Sequence, residues 1–269
     1  MATSALVVEN LEKYFPAARK GWRAFVDPFA PLTQPALCGI SFRAEAGEIT
    51  ALIGANGSGK STLLRILATL LVPTRGRAIV AGYDVEHEAA QVRRQLGFHS
   101  ATDGGFYIRL TARENLEFFA AMNNLMGKEA DDRIQEITEL MGLGGFLSNQ
   151  IRTLSTGQVH RLGLARAMLH RPRVLLLDEP TRSLDPIAAS EFRRFLKNQV
   201  VDRYGATVLF ASHTLAEVEQ LADRVVLLNQ GTLLACDRPS GLRKATGADT
   251  LQEALERLTV PSHSPQVLS

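Results

Sequence analysis

Residues Gly54-Ala55-Asn56-Gly57-Ser58-Gly59-Lys60-Ser61 fit the pattern G-x-x-x-x-G-K-[ST] and stand between an apolar run and a helix-forming run. The preceding Glu48-Ile49-Thr50-Ala51-Leu52-Ile53 reads as a buried strand, and Thr62-Leu63-Leu64-Arg65-Ile66-Leu67-Ala68 continues with helical spacing. Strand, glycine-rich turn and helix in that order let successive backbone N–H groups curl round a phosphate, with the partial positive charge of a helix N-terminus behind them. Gly54, Asn56, Gly57, Ser58, Gly59, Lys60, Ser61 and Thr62 are the candidate contacts to a nucleoside triphosphate. In this arrangement Lys60 reaches the terminal phosphates, and the Ser61 hydroxyl is a candidate Mg²⁺ ligand.

The rest of the composition narrows the class. A chain of 269 residues with 45% apolar and 22% charged content can bury a large α/β core, and disorder is not its default state. A net charge of +2 does not point to nucleic acid as a partner. Cys38 and Cys236 are far apart and lack metal-ligand spacing, so they are expected to be idle thiols in a reducing compartment. Met1-Ala2-Thr3-Ser4 has no cationic start and no long apolar continuation, which reads as a cytosolic chain. No apolar stretch approaches the roughly 18 to 20 residues of a membrane-crossing helix, so any membrane span is expected on another chain.

Strand-like runs recur at Leu6 to Val8, Ile49 to Ile53, Arg77 to Val80, Val174 to Leu177, Thr207 to Ala211 and Val225 to Leu228. Fully apolar strands suit a mainly parallel sheet covered on both faces, the α/β arrangement expected around a phosphate loop, with the first strands as an antiparallel edge. From Thr111 to Met168 the spacing turns helical, broken by Gly142-Leu143-Gly144-Gly145 and by Asn149 to Thr153. A Pro-rich segment with interleaved basic and aromatic residues, 15–36, reads as an irregular surface loop, either packing on a neighbouring strand or touching a membrane interface. The tail 260–269 is expected to be disordered.

A second motif follows. Val174-Leu175-Leu176-Leu177-Asp178-Glu179 is an apolar strand ending in two carboxylates. Beside a phosphate loop, that placement gives Asp178 to Mg²⁺ and Glu179 to a water aligned on the γ-phosphate.

With both motifs in hand, the chain resembles the ATP-binding subunit of an ABC transporter over nearly its whole length. Leu154-Ser155-Thr156-Gly157-Gln158 resembles the family's signature loop, with Thr156 where glycine is commonest, and Arg161 to Ala167 resembles the helix after it. Ser183-Leu184-Asp185 resembles the D-loop, Ser212-His213 the switch histidine, and Tyr14 the aromatic that stacks on adenine. The resemblance implies a P-loop NTPase (RecA-like) α/β core with an antiparallel β edge and an inserted ABC-type α-helical subdomain at about 104–168. These form an ATPase domain, 1–245, followed by a C-terminal helix, 246–259. Ser155, Gly157 and Gln158 offer a second anion site at a helix start, yet Lys60 already serves the first in its own chain, so the signature is expected to close over the ATP of a second subunit. The resemblance implies a head-to-tail dimer around two MgATP, a separate integral-membrane permease, and a peripheral location on the cytoplasmic membrane face. It assigns Glu179 and His213 to catalysis, Tyr14 and Asp185 to the nucleotide, and Ser61 and Asp178 to the metal.

One departure stands out. The stretch Leu96 to Tyr107 lacks the glutamine that in the family links Mg²⁺ to the permease, leaving Ser100, Thr102 and Asp103 as candidate contacts there. Leu110 to Leu116 still resembles the region that meets a transporter's coupling helix. Thr250 to Leu258 resembles the closing helix of short ATPases paired with type-2 exporters of drugs, ions or polysaccharides, and the segment after Tyr14 loosely resembles the enlarged loop of polysaccharide-exporting relatives. Alternatives are a soluble ABC-type switch acting on ribosome or nucleic acid, which usually carries two ATPase domains or a coiled-coil insertion, a P-loop kinase, or an importer subunit. Cargo specificity is expected to lie in the membrane subunit.

Overall fold

The computed structural model describes residues 4–16, 32–100, 105–182 and 184–259. Two sheets organise it. β1 (Ser4–Pro16), β2 (Leu32–Glu45), β4 (Arg75–Val80) and β5 (Tyr83–Asp84) form an antiparallel sheet in the order β2-β1-β4-β5. The larger sheet runs β10-β9-β3-β8-β7-β6, built from β3 (Ile49–Ile53), β6 (Leu96–Ser100), β7 (Val174–Asp178), β8 (Thr207–Ala211), β9 (Arg224–Asn229) and β10 (Thr232–Asp237). Its strands are parallel except for β10, which closes the edge antiparallel to β9.

The all-apolar strands are buried on both faces. Leu175 and Leu177 point into a core shared with the helices, while Val174 and Leu176 point into a second core shared with the antiparallel sheet. Alternate residues of one strand therefore serve different layers, which is why no polar residue interrupts the run. α1 (Lys60–Leu67) fills the second core with Leu63, Leu64, Ile66 and Leu67.

α2 (Ala89–Gln95) leads into β6, and helices α3 (Ala112–Met122), α4 (Gly127–Met141) and α5 (Thr156–Met168) pack beside the parallel sheet. A capping box starts α3: the Thr111 hydroxyl accepts from the Glu114 N–H, and the Glu114 carboxylate accepts from the Thr111 N–H. α4 ends at Gly142 in a left-handed conformation, φ +62°. α6 (Pro186–Phe195) continues into a π-helical turn, Leu196–Val201, and α7 (Leu215–Leu221) precedes β9.

Two expectations need correction. The segment 15–36 is not a loop throughout, because β1 runs to Pro16 and β2 restarts at Leu32, with Pro16 opposite Leu32 and Tyr14 opposite Pro35. Repeated register shifts in this hairpin, with β2 at the sheet edge, accommodate residues that cannot donate to a regular ladder. The closing helix is also shorter than 246–259. α8 (Pro239–Thr246) ends at Gly247, φ +64°, and α9 (Leu251–Thr259) starts four residues later. Residues 17–31, Thr102, Asp103, Ser183 and the tail 260–269 lie outside the described residues. Among the described residues, no helix is long and apolar enough to cross a membrane.

Candidate functional site

The phosphate loop leaves β3 at its C-terminal end, and Asp178 and Ala211 are register partners at the same ends of β7 and β8. Ligand sites of open parallel sheets lie there, beyond the carboxyl ends of the strands. Gly59 caps α1 with φ +104°, and a Cβ there would lie 2.6 Å from the Ala36 carbonyl oxygen of β2. Glycine is therefore required both by the turn and by the strand pressed against it. Ser58 is buried and its carbonyl accepts from the Gly231 N–H at 3.1 Å, tying the loop to the β9–β10 turn. Asn56 and Gly57 are exposed, and Ser61 and Thr62 are half-buried.

Lys60 is 6% exposed, and its Nζ donates to the carbonyl oxygens of Gly54 at 2.6 Å and Ala55 at 3.1 Å. Burial pushes its pKa below the ordinary lysine value, opposed by the nearby carboxylates of Glu179 and Asp178. The ammonium is thus held in the hollow of the loop, within electrostatic reach of the two acidic residues at and just beyond the end of β7.

Glu179 occupies the left-handed region, φ +52°, uncommon for a residue with a side chain. Its N–H donates to the Ala211 carbonyl at 3.0 Å, so the chain turns sharply off the end of β7 onto β8. The turn delivers the carboxylate between an imidazole and a guanidinium: His213 Nδ1 lies 3.3 Å from Oε1, and Arg182 Nη1 lies 3.3 Å from Oε2. His213 is held by its neighbours. The buried Ser212 hydroxyl donates to Oε2 of buried Glu217 at 2.6 Å and accepts from the Thr214 N–H at 3.0 Å.

Arg182, Glu217 and the backbone of Glu179 are the parts that the sequence motifs did not mark. Arg182 follows Glu179 by three residues, a spacing that makes an ion pair possible, whereas the Ser212–Glu217 bond carries no recognisable pattern. Asp178 is half-buried at the end of β7 with Ser100 as its register partner on β6. Among the described residues no cluster of three or more His, Cys, Asp or Glu could hold a metal. Two oxygen donors, the Ser61 hydroxyl and the Asp178 carboxylate, fit Mg²⁺, which commonly takes one or two protein ligands and completes its shell with phosphate oxygens and water.

Tyr14 is half-buried on β1, its N–H donating to Thr74 Oγ1 at 3.1 Å. Its partner Pro35 directly precedes Ala36, the residue against Gly59, so the strand pair brings Tyr14 to the side of the phosphate loop. The Glu12 carboxylate raises its phenol pKa above the ordinary value.

Ser155, Gly157 and Gln158 form a separate face. Ser155 N-caps α5 in a second capping box, with the Ser155 hydroxyl accepting from the Gln158 N–H and the Gln158 side chain accepting from the Ser155 N–H. The S-x-x-Q pattern is legible in the sequence, so the helix start is fixed before any ligand is considered. Asp185 caps α6, accepting from the N–H groups of Ile187 at 2.9 Å and Ala188 at 3.0 Å, with Pro186 in the first turn. Both caps line one recess of about 520 Å³ together with Gly157, Arg161 and Leu184.

The family profile described as ABC transporter matches residues 37–182, from the strand packed on the phosphate loop to the arginine beside Glu179. The chain belongs to the ABC transporter family. Membership implies ATP binding and hydrolysis. Similar proteins include two named as ABC transporter ATP-binding proteins: YdbJ of Bacillus subtilis is 41% identical over 73% of this chain, and NatA of the same organism 34% over 72%. The daunorubicin resistance ATP-binding protein DrrA3 of Streptomyces coeruleorubidus is 34% identical over 95%. These matches span 62%, 78% and 75% of the relatives' own lengths, so the chain covers less than two thirds of YdbJ. Among ABC structures, an ATP-binding subunit superposes with a TM-score of 0.80 at 27% identity, covering 95% of this chain and all of the other. CbiO1 of Clostridium perfringens, part of the ABC transporter complex cbiONQ, superposes with a TM-score of 0.74 at 25% identity over 90% of this chain and 94% of its own. The fold is therefore that of the ABC ATPase domain, a P-loop α/β core with an antiparallel edge and packed helices.

Proposed function

We propose that this chain is the ATP-hydrolysing subunit of an exporter, dimerising head to tail around two MgATP and driving a separate integral-membrane permease from the cytoplasmic membrane face. The observation that carries this reading is the split between two surfaces. Lys60, Asp178, Glu179 and His213 converge at the strand ends, while the Ser155 and Asp185 caps line a different recess that has no lysine of its own.

In this reading Lys60 leaves the Gly54 and Ala55 carbonyls for the terminal phosphates, and the loop amides and the α1 N-terminus take the remaining charge. Ser61 and Asp178 hold Mg²⁺, which when bound neutralises phosphate charge. Glu179 accepts a proton from the attacking water, its carboxylate oriented by His213 and Arg182. His213 then donates to the γ-phosphate. Tyr14 stacks on adenine, and Ser155, Gly157, Gln158 and Asp185 complete the partner chain's site.

Relatives named for resistance to daunorubicin and linearmycin support export as the direction of transport. The test is affinity capture of tagged Glu179→Gln protein in mild detergent with MgATP. A multi-span membrane protein in equal amount is the expected result, and ribosomes or nucleic acid in its place would overturn the transporter role.

A further inference from the structure

The helix that opens at Ser155 is fastened to the strand beside Asp178 by a joint that the mechanism above does not use. β6 runs parallel to β7, with Ser100 opposite Asp178 and His99 opposite Leu177. The imidazole of buried His99 sits in a notch on α5 made by Gly163, where a Cβ would lie 2.5 Å from Cε1 and 2.7 Å from Nδ1 of the ring. Its edge-to-face neighbour is buried His160, about one turn earlier on α5, with ring centroids 4.6 Å apart and planes at 81°. Gly97 of β6 lies so close to the Ala167 carbonyl that no side chain fits between them. Arg166 then reaches past the end of β6, donating to the Gly105 carbonyl at 3.5 Å and lying over Phe106 and Phe119 at 4.9 and 5.1 Å. Positions 160, 163, 166 and 167 fall on one side of α5, and that side is applied to β6 and to Gly105-Phe106.

Among the described residues, none of the four ring nitrogens of the histidine pair has a hydrogen-bond partner. A buried polar atom without a partner costs free energy that a leucine or phenylalanine in the same place would avoid, so packing alone does not account for two such rings in contact. Their edge-to-face arrangement lets a neutral imidazole rest an N–H on its neighbour's π face, a weak and adjustable contact. His160 also packs near Phe192, its ring 6.2 Å away, and borders a cavity of about 290 Å³ lined by Leu164, Leu184 and Phe195. That space leaves the ring room to turn if α5 shifts, as a two-state joint requires.

Resting on the dimer reading above, we propose that His99 is a positioning residue which, through Gly163 and His160, makes α5 move with the β6–β7 strand pair. The triphosphate held by a chain's own Lys60 and Asp178 thereby sets where that chain presents Ser155 to its partner. The joint couples the two sites in a chain whose stretch from Leu96 to Tyr107 has no glutamine.

The test uses the full chain carrying Glu179→Gln, with nucleotide affinity read by a fluorescent ATP analogue and MgATP-driven dimerisation read by light scattering. His99→Ala is expected to bind nucleotide as the parent does while dimerising about tenfold more weakly, within the ordinary range of coupling between sites. Gly163→Ala forces a methyl against the His99 ring, so it is expected to lower the unfolding midpoint as well. Adding His99→Ala to Gly163→Ala should restore the midpoint and leave dimerisation weak, an outcome that loss of packing alone does not give. Parent-like dimerisation of His99→Ala would overturn the proposal. If the Glu179→Gln parent itself stays monomeric in MgATP, the dimer reading falls and the joint falls with it.

Discussion

At the scale of single residues, Glu179 shows how local strain and long-range contact combine to place one carboxylate. Its left-handed backbone and its bond to the Ala211 carbonyl swing the side chain off β7 and between His213 and Arg182. Glu179→Gln keeps the shape and removes the proposed base. It is expected to retain ATP binding and lose about two to four orders of magnitude in turnover, the usual worth of a general base, as phosphate release at saturating ATP would read. The identity of Glu179 was legible in the sequence because a strand ending in two carboxylates beside a phosphate loop has few other uses. His213 was legible as the switch histidine, but its contact with Glu179 and that of the Ala211 carbonyl were not, since both residues stand more than thirty positions along the chain and only the sheet brings them together.

The buried histidine pair makes a residue-scale prediction about stability. Burial, with the neighbouring His160 and Arg166 charges added, pushes His99 down to about 3 from an ordinary 6.5, and burial pushes His160 down to about 4. Both rings are neutral in the folded chain above those values, while in the unfolded chain each binds a proton once the pH falls below about 6.5. The unfolded state therefore holds more protons between these limits. Their contribution is fully favourable above pH 6.5, is lost as the pH falls through that window, and levels off below about 3. Replacing both with phenylalanine should flatten the acid side of the profile of urea midpoint against pH, and an unchanged slope would show that the pair is not the source.

At the scale of elements, the strand-loop-helix unit depends on one glycine. Gly59→Ala must place a side chain at φ +104° and against the Ala36 carbonyl, so about 1 to 3 kcal/mol of stability should be lost with the ATP site. Urea unfolding and nucleotide binding on the same protein check both effects. The central strands were legible because burial on both faces leaves an uninterrupted apolar run such as Val174 to Leu177. β2 was not legible from its N-terminal end, because Pro35 reads as a loop signal and only pairing with Tyr14 reveals an irregular edge strand. The Ser155–Gln158 box stands in the sequence as S-x-x-Q ahead of a helical run, so the start of α5 was legible from local pattern alone.

At the scale of the whole molecule, the two recesses lie on one chain and, in the proposed dimer, serve two different ATP molecules. Turnover per chain is then expected to rise with chain concentration until the dimer saturates. The most direct measurement mixes two inactive variants, Lys60→Ala, which keeps an intact signature, and Ser155→Arg, which keeps an intact phosphate loop. If each ATP lies between the loop of one chain and the signature of the other, the mixture should hydrolyse ATP well above the sum of its two components. A mixture as inactive as the separate variants would contradict the shared site.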